Sequence, residues 1–264
     1  MELTSHHRLH LLSSTDWKDA VITLLEPRSP YRPWHGGEDE GQEGDTVALV
    51  LNTDPPSIVA DVGHVGDSRE LRQATFRESF ASPNVVDVDT FMTVLGLGMR
   101  ADTFDGDDAI KVELSLDECR YRSAPRSRFG HNDLARARTL LRFNGRCDGC
   151  EQEVDLTGMD ARDQLFVHTV DHEMQETSII LGYPDWPAVM CRGCRDRMAE
   201  DGHASFVDYK FTLNPSCPQC RGHRACEIFY GMPSDHENVP PWEYAGGCCV
   251  ESVTWWCGIC STTW

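Results

Sequence analysis

The sequence predicts a modular α+β protein whose C-terminal half is built around bound metal. Three observations carry this. Eight of the twelve cysteines fall in four Cys-x-x-Cys knuckles: Cys147/Cys150, Cys191/Cys194, Cys217/Cys220 and Cys257/Cys260. The first 118 residues mix short alternating apolar runs with short amphipathic stretches. Between the two regions lies a stretch in which eight of nine charged residues are Arg. The expected modules are an N-terminal α+β domain over 1–118, an Arg-rich connector and helix over 119–146, a first metal domain over 147–212 and a second over 213–264.

The elements follow in chain order. Arg8–Leu12 reads as a strand. Ser13-Ser14-Thr15-Asp16 offers N-cap oxygens for a helix over Trp17–Leu25, with Trp17, Val21, Leu24 and Leu25 on its apolar stripe. Residues 27–44 are loop, holding Pro27, Pro30, Pro33 and the acidic run Glu38-Asp39-Glu40. Thr46–Asn52 and Ser57–Val65 form a hairpin turned by Asp54-Pro55-Pro56. Helices are expected over Asp67–Phe80 and Thr90–Leu95, and a strand over Ile110–Leu116, whose apolar residues alternate. Asn132–Asn144 is a helix with Leu134, Ala137, Leu140 and Leu141 on one stripe, stopped by Gly145. A strand runs through Leu165-Phe166-Val167-His168-Thr169-Val170-Asp171-His172-Glu173.

Each knuckle brings two thiolates within reach of one tetrahedral ion, so two knuckles complete a zinc shell. Forty residues separate the first pair from the second and thirty-six the third from the fourth, which gives two structural Zn2+ sites in series. The alternative, a disulfide framework, needs an oxidising compartment. The N-terminus has charged and His residues but no apolar h-region or small-residue cleavage site, so a cytoplasmic location is expected. No stretch approaches the ~18 apolar residues of a membrane span, so no membrane contact is expected. Four repeats of the motif also argue against a redox site, where it stands alone. Cys119 reads as a small buried hydrophobe. Cys248 and Cys249 lie close enough to the last knuckle for either to replace a ligand there.

The formal charge is −19, which by itself disfavours nucleic acid. Its distribution is uneven: −14 over residues 1–119, +7 over 120–146 and −12 over 147–264. Arginine forks match phosphates bidentately, so Arg136, Arg138 and Arg142 on the 132–144 helix are the expected phosphate holders on DNA. A solvated helix would show the same composition. The acidic regions either dock a protein partner or keep the chain soluble.

Residues 5–116 resemble the EVE/PUA-like small β-barrel family. The likeness rests on a first strand followed by a Trp-bearing helix, the loop Trp34-His35-Gly36, the strand opening Gly44-Asp45, and the strand Ile58-Val59-Ala60-Asp61-Val62-Gly63-His64-Val65. It implies a small barrel holding a flipped, modified base in an aromatic cage, with Trp34 and Asn52 as base-contacting residues and Trp17 next. A Trp at each position can equally serve the core.

An Arg-rich helix, a knuckle, a His-bearing strand and a second knuckle, over Leu134–Met198, resemble the HNH endonuclease family. The likeness implies a treble-clef domain braced by zinc, a His that activates water, and a neighbouring ligand for a catalytic Mg2+ or Mn2+ at the scissile phosphate. Two registers stand open. In one, His168 takes the metal-ligand place and Thr169 falls where the base should be. In the other, Asp171 is the ligand and His172 the base. The family's His after the last Cys is Arg195 here. Its Asn before the third knuckle Cys is Trp186, beside Asp185. The knuckles at Cys217/Cys220 and Cys257/Cys260 resemble zinc ribbons. Together these imply a DNA-binding protein recognising modified or unusual bases, with HNH-type endonuclease activity. The alternative is a non-catalytic zinc-stabilised nucleic-acid reader or assembly adaptor.

Overall fold

The structure, a computed structural model, describes residues 7–34, 41–66, 75–76, 84–98, 102–121, 128–171, 185–231 and 239–264. It is mixed α+β and divides into two compact units. Unit 1 comprises residues 1–127, 132–144 and 155–162, and unit 2 the rest.

In unit 1, a sheet has the order β4-β3-β2-β1-β6, with β5 also on β3. The strands are β1 (Arg8–Ser13), β2 (Thr46–Leu51), β3 (Ser57–His64), β4 (Thr75–Phe76), β5 (Val85–Asp87) and β6 (Thr103–Asp105). β2 pairs parallel with β1 and antiparallel with β3. A strand buried on both faces reads as a continuous apolar run, and Val47, Ala48, Leu49 and Leu51 are all buried. The sheet is open among the described residues, with β4 and β6 as its ends, so the expected small barrel does not close there. Helix α1 (Trp17–Leu25) joins β1 to β2; Asp16 caps it, accepting from the Lys18 and Asp19 N–H groups at 2.9 and 3.2 Å.

Two elements differ from the sequence expectation. Residues Ile110–Leu116 are helical, inside α3 (Gly106–Tyr121). Ala109, Val112 and Leu116 are buried at helical spacing, whereas Leu114, an inward position for a strand, is 63% exposed. Alternation of four apolar residues fits both periods, and the flanking Ala109 and Cys119 decide for the helix. The helix expected over Asp67–Phe80 lies outside the described residues except for Thr75 and Phe76, which form β4. Helix α2 (Val88–Leu95) starts two residues earlier than expected because Asp87 caps it, and it ends at Gly96 with φ 68°. Ile58, Phe91, Met92, Val112 and Leu116 pack one continuous core between sheet and helices.

Helix α4 (Asp133–Leu140) belongs to unit 1, as does the segment 155–162. That segment ends on Arg162, whose guanidinium reaches Asp16 at 2.6 Å and Asp19 at 2.7 Å. The same Arg162 thus neutralises the N-cap of α1.

Unit 2 holds a hairpin of β7 (Leu165–His168) and β8 (Ala188–Cys191), then α6 (Arg192–Glu200) and α7 (Phe206–Leu213). A one-turn helix α5 (Ala161–Gln164) leads into β7. A three-stranded sheet, β10-β9-β11, follows, made of β9 (Ala225–Phe229), β10 (Glu243–Ala245) and β11 (Trp255–Cys257). Phe206, Tyr209 and Phe211 of α7 are fully buried and serve two adjoining clusters. Among the described residues no helix is long and apolar enough to cross a membrane.

Candidate metal centres and the His168 site

The eight knuckle cysteines gather into two groups of four, Cys147/Cys150/Cys191/Cys194 and Cys217/Cys220/Cys257/Cys260, with sulfurs within 4.8 Å of one another in each. None of the twelve cysteines forms a disulfide. Cys150 and Cys191 sulfurs are 3.9 Å apart, and the Cys217–Cys260 and Cys220–Cys257 pairs are each 3.6 Å apart. Four sulfurs at about 2.3 Å from one zinc ion would be about 3.8 Å apart, whereas a disulfide would need about 2.05 Å. Each group can therefore hold one structural metal ion, and an all-sulfur tetrahedron is the donor set of structural zinc.

Three knuckles share one backbone frame. The N–H four residues after the first Cys donates to that Cys carbonyl at 2.8 Å: Glu151 to Cys147, Arg221 to Cys217, Ser261 to Cys257. The first Cys N–H donates to the carbonyl five residues on, at 2.9, 3.0 and 2.8 Å. The residue that closes each turn is left-handed, with φ 61°, 60° and 59°. The Cys191/Cys194 knuckle is different. Cys191 is the N-cap of α6 and Cys194 lies in its first turn. There the Cys191 N–H donates to the Cys147 sulfur at 3.2 Å, and burial pushes the Cys194 thiol up. The first centre is thus a knuckle facing a helix start; the second is two knuckles face to face.

The surroundings fit charged sulfur in part. At Cys260 the Thr262 hydroxyl and N–H draw the thiol down to about 6. Burial opposes ionisation of Cys150, but the Gln152 N–H and the neighbouring thiols carry it below its ordinary value. Burial pushes the Cys147 thiol far up, and a bound cation would offset that cost by stabilising the thiolate. Burial and the adjacent Cys194 push the Tyr209 phenol up too.

Asp148 anchors the first knuckle to β8: its N–H donates to the Val189 carbonyl at 2.9 Å and its Oδ2 accepts from the Val189 N–H at 2.5 Å. Gly149 sits against the centre. A Cβ there would lie 2.9 Å from the Cys194 sulfur and 3.1 Å from its Cβ. Gly149→Ala is therefore expected to displace Cys194 and weaken metal retention at this centre by roughly tenfold or more, the scale of an outer-shell defect. Competition with a chromophoric chelator measures it, with Gly193→Ala, 4.0 Å from the nearest sulfur, as the tolerant control.

The other four cysteines stand outside both groups. Cys226 is buried with its thiol donating to the Pro241 carbonyl at 3.4 Å, and burial pushes it up to about 11. Cys248 and Cys249 are exposed, and the four knuckle cysteines complete the second centre without them.

His168 ends β7. Its Nε2 is 2.8 Å from Oδ2 of Asp185, a residue the sequence reading passed over as a neighbour of Trp186. Oδ1 of Asp185 accepts from the N–H groups of Trp186 (2.8 Å) and Phe206 (2.9 Å) and from the Ser205 hydroxyl (3.0 Å). Burial works against the Asp185 charge, but His168 and these donors hold the carboxyl below its ordinary value. An ionised carboxylate only accepts, so Nε2 carries the hydrogen and Nδ1 is the nitrogen left for chemistry. Phe166 shares the β7 face of His168, two residues on, and the Arg195 guanidinium lies 3.8 Å from the Phe166 ring centre. Thr169 is hydrogen bonded at 2.8 Å to His131. Asp171 is exposed, and His172 lies outside the described residues.

The expected nucleic-acid contacts are spread over unit 1. Trp34 pairs with Ser14 in an isolated bridge, and the Asn52 N–H donates to the Ser14 hydroxyl at 2.8 Å, so both flank one residue at the end of β1. On α4, Arg138 donates from Nε to the Val85 carbonyl at 2.8 Å, and burial lowers its pKa. Arg136 pairs with Asp133 at 3.0 Å, and Arg142 is half-buried. No protein-family model, no curated protein and no solved structure matches this chain.

Proposed function

We propose that the protein is a zinc-stabilised DNA-binding endonuclease of HNH type that recognises a modified or unusual base. The observation that carries the reading is the first metal centre, a knuckle against a helix start, with a hairpin whose first strand ends on a carboxylate-held histidine. This is the order of a treble-clef HNH module, and the second centre has the two-knuckle order of a zinc ribbon.

In this reading zinc supplies structure alone. His168 takes a proton from the attacking water at Nδ1 while Asp185 fixes the ring and stabilises the charge it gains. Pairing of Leu165–His168 with Ala188–Cys191 supports a site at His168 over one at Asp171 and His172, with His168 taking the base role in place of the metal-ligand role it has in the first register. Arg195, on α6 with its guanidinium over the Phe166 ring, meets the phosphate charge. Among the described residues no third group of His, Cys, Asp or Glu converges on one point, so no step is assigned through a bound catalytic cation. Mg2+ or Mn2+ from solution would neutralise charge on the scissile phosphate. In unit 1, Trp34 and Asn52 on either side of Ser14 receive the base, in the manner of a PUA-like domain, and Arg136 and Arg142 contact the backbone.

A second reading is a non-catalytic reader. It is favoured by Thr169 at the place of the family's base and by Arg195 at the place of its metal-ligand His. Supercoiled plasmid, methylated and unmodified, incubated with Mg2+, Mn2+ or Ni2+ separates the two. The endonuclease reading expects nicking that falls about 10²–10⁴-fold in His168→Ala, with binding in gel shifts retained. Binding without nicking under every condition establishes the reader instead. Absence of both removes the DNA reading altogether.

A further inference from the structure

Eight of the twelve cysteines build the two four-sulfur centres, and two of the remaining four are adjacent in the chain: Cys248 and Cys249. Cys226 is buried and Cys119 half-buried, whereas Cys248 and Cys249 are both exposed as thiols. Two glycines lead the chain to them from the β10-β9-β11 sheet. The Gly246 N–H donates to the Phe229 carbonyl and the Gly231 N–H to the Gly247 carbonyl, each at 2.9 Å. A Cβ on Gly246 would lie 2.6 Å from Ile228 Cγ2 and 2.8 Å from Tyr230 Cε1, and Gly247 has φ 85°. Glycine alone passes that close without displacing those side chains. The two thiols follow directly on this anchored pair.

Reach and charge decide what two adjacent thiols can hold. Neighbouring Cα atoms are about 3.8 Å apart, less than the roughly 4.4–6.8 Å that a disulfide spans. A bond between the two sulfurs is therefore strained and easily reduced. A metal ion placed between them puts two metal–sulfur bonds where one S–S bond would be and lifts that restriction. Structural zinc takes four ligands, which two thiols do not supply. A soft ion that is content with two sulfurs does fit, and thiolate selects copper(I). Charge points the same way. From Val239 to Trp264 the chain carries Glu243 and Glu251 and no Lys, Arg or His. A cysteine tuned for redox or nucleophilic work has a basic group beside it; this stretch of chain provides only acids, which favour a bound cation.

We propose that Cys248 and Cys249 form a two-sulfur site for a soft cation of low coordination number, of the copper(I) class, separate from both four-cysteine centres. Each thiol gives its proton to solvent as its sulfur bonds the ion, and no oxidation state changes. The proposal does not depend on nuclease activity.

The test uses the whole zinc-loaded chain under nitrogen. Copper(I) is offered as its coloured bicinchoninate complex, up to one ion per chain, and loss of colour reads its transfer to the protein. Elemental analysis after gel filtration gives the copper and zinc retained. The expected result is one copper ion bound with both zinc ions kept, and two sulfur neighbours at copper by X-ray absorption. Cys248→Ser and Cys249→Ser should each weaken binding by about tenfold or more, since a lost ligand costs at least what an outer-shell partner does. The double variant should leave the colour unchanged while keeping its zinc, which reports that it is folded. No transfer to the parent protein, zinc released in step with copper uptake, three or four sulfur neighbours at copper, or equal uptake by the double variant each overturns the proposal.

Discussion

Cys147→Ser is expected to reduce bound zinc from two ions per chain to one and to unfold the first metal centre. Cys147 is fully buried at the junction of knuckle, β8 and α6, and accepts the Cys191 N–H. Small zinc modules draw about 10–16 kcal/mol from the ion, against a net domain stability of about 5–15 kcal/mol. The hairpin β7–β8 and the start of α6 should lose hydrogen-exchange protection, while β2 and β3 keep theirs. Cys217→Ser should remove the other ion and leave this hairpin protected. Elemental analysis that finds two zinc ions in Cys147→Ser, or iron in place of zinc in the parent, would overturn the assignment.

The second large effect concerns Asp185. Asp185→Ala deletes the acceptor for His168, Ser205 and the Trp186 and Phe206 N–H groups together. Donors left without a partner in a largely buried place cost more than the net worth of each bond, so a loss of about 3 kcal/mol or more is expected. Asp185→Asn keeps an acceptor and should lose less. The pH dependence follows from the lowered carboxyl: the charged form is favoured in the fold. Its stabilisation is complete above the ordinary carboxyl value of about 4 and disappears as pH falls through the lower folded value. Denaturant titrations from pH 7 to pH 3 should show the parent losing stability on acidification more steeply than Asp185→Asn. Parallel curves would mean that the carboxyl is not held ionised by these partners.

Much of the secondary structure was legible in the residues themselves. Asp16 before Trp17 marks α1 because a carboxylate caps free N–H groups. The run Thr46–Asn52 marks β2 because only a strand covered on both sides needs every position apolar. The knuckles were legible because two thiols three residues apart can reach one ion, while only the fold excludes Cys248 and Cys249 from the second group. What stayed hidden depends on tertiary neighbours. Ile110–Leu116 satisfies two periods, and only the burial of Ala109 and the exposure of Leu114 choose between them. Asp185 lies seventeen residues from His168, with nothing local to announce the pair. Arg138 looked like a surface charge but is drawn to the Val85 carbonyl, a partner fifty-three residues away.

The chain path carries a practical consequence. After its first 127 residues, unit 1 recruits two later stretches, 132–144 and 155–162, on either side of the first knuckle. The polypeptide is stitched, not strung. A cut between residues 144 and 155 would strip Arg162 from Asp16, and one before residue 132 would take α4 as well. Neither unit is one continuous run of chain, so neither can be lifted out whole by a single boundary.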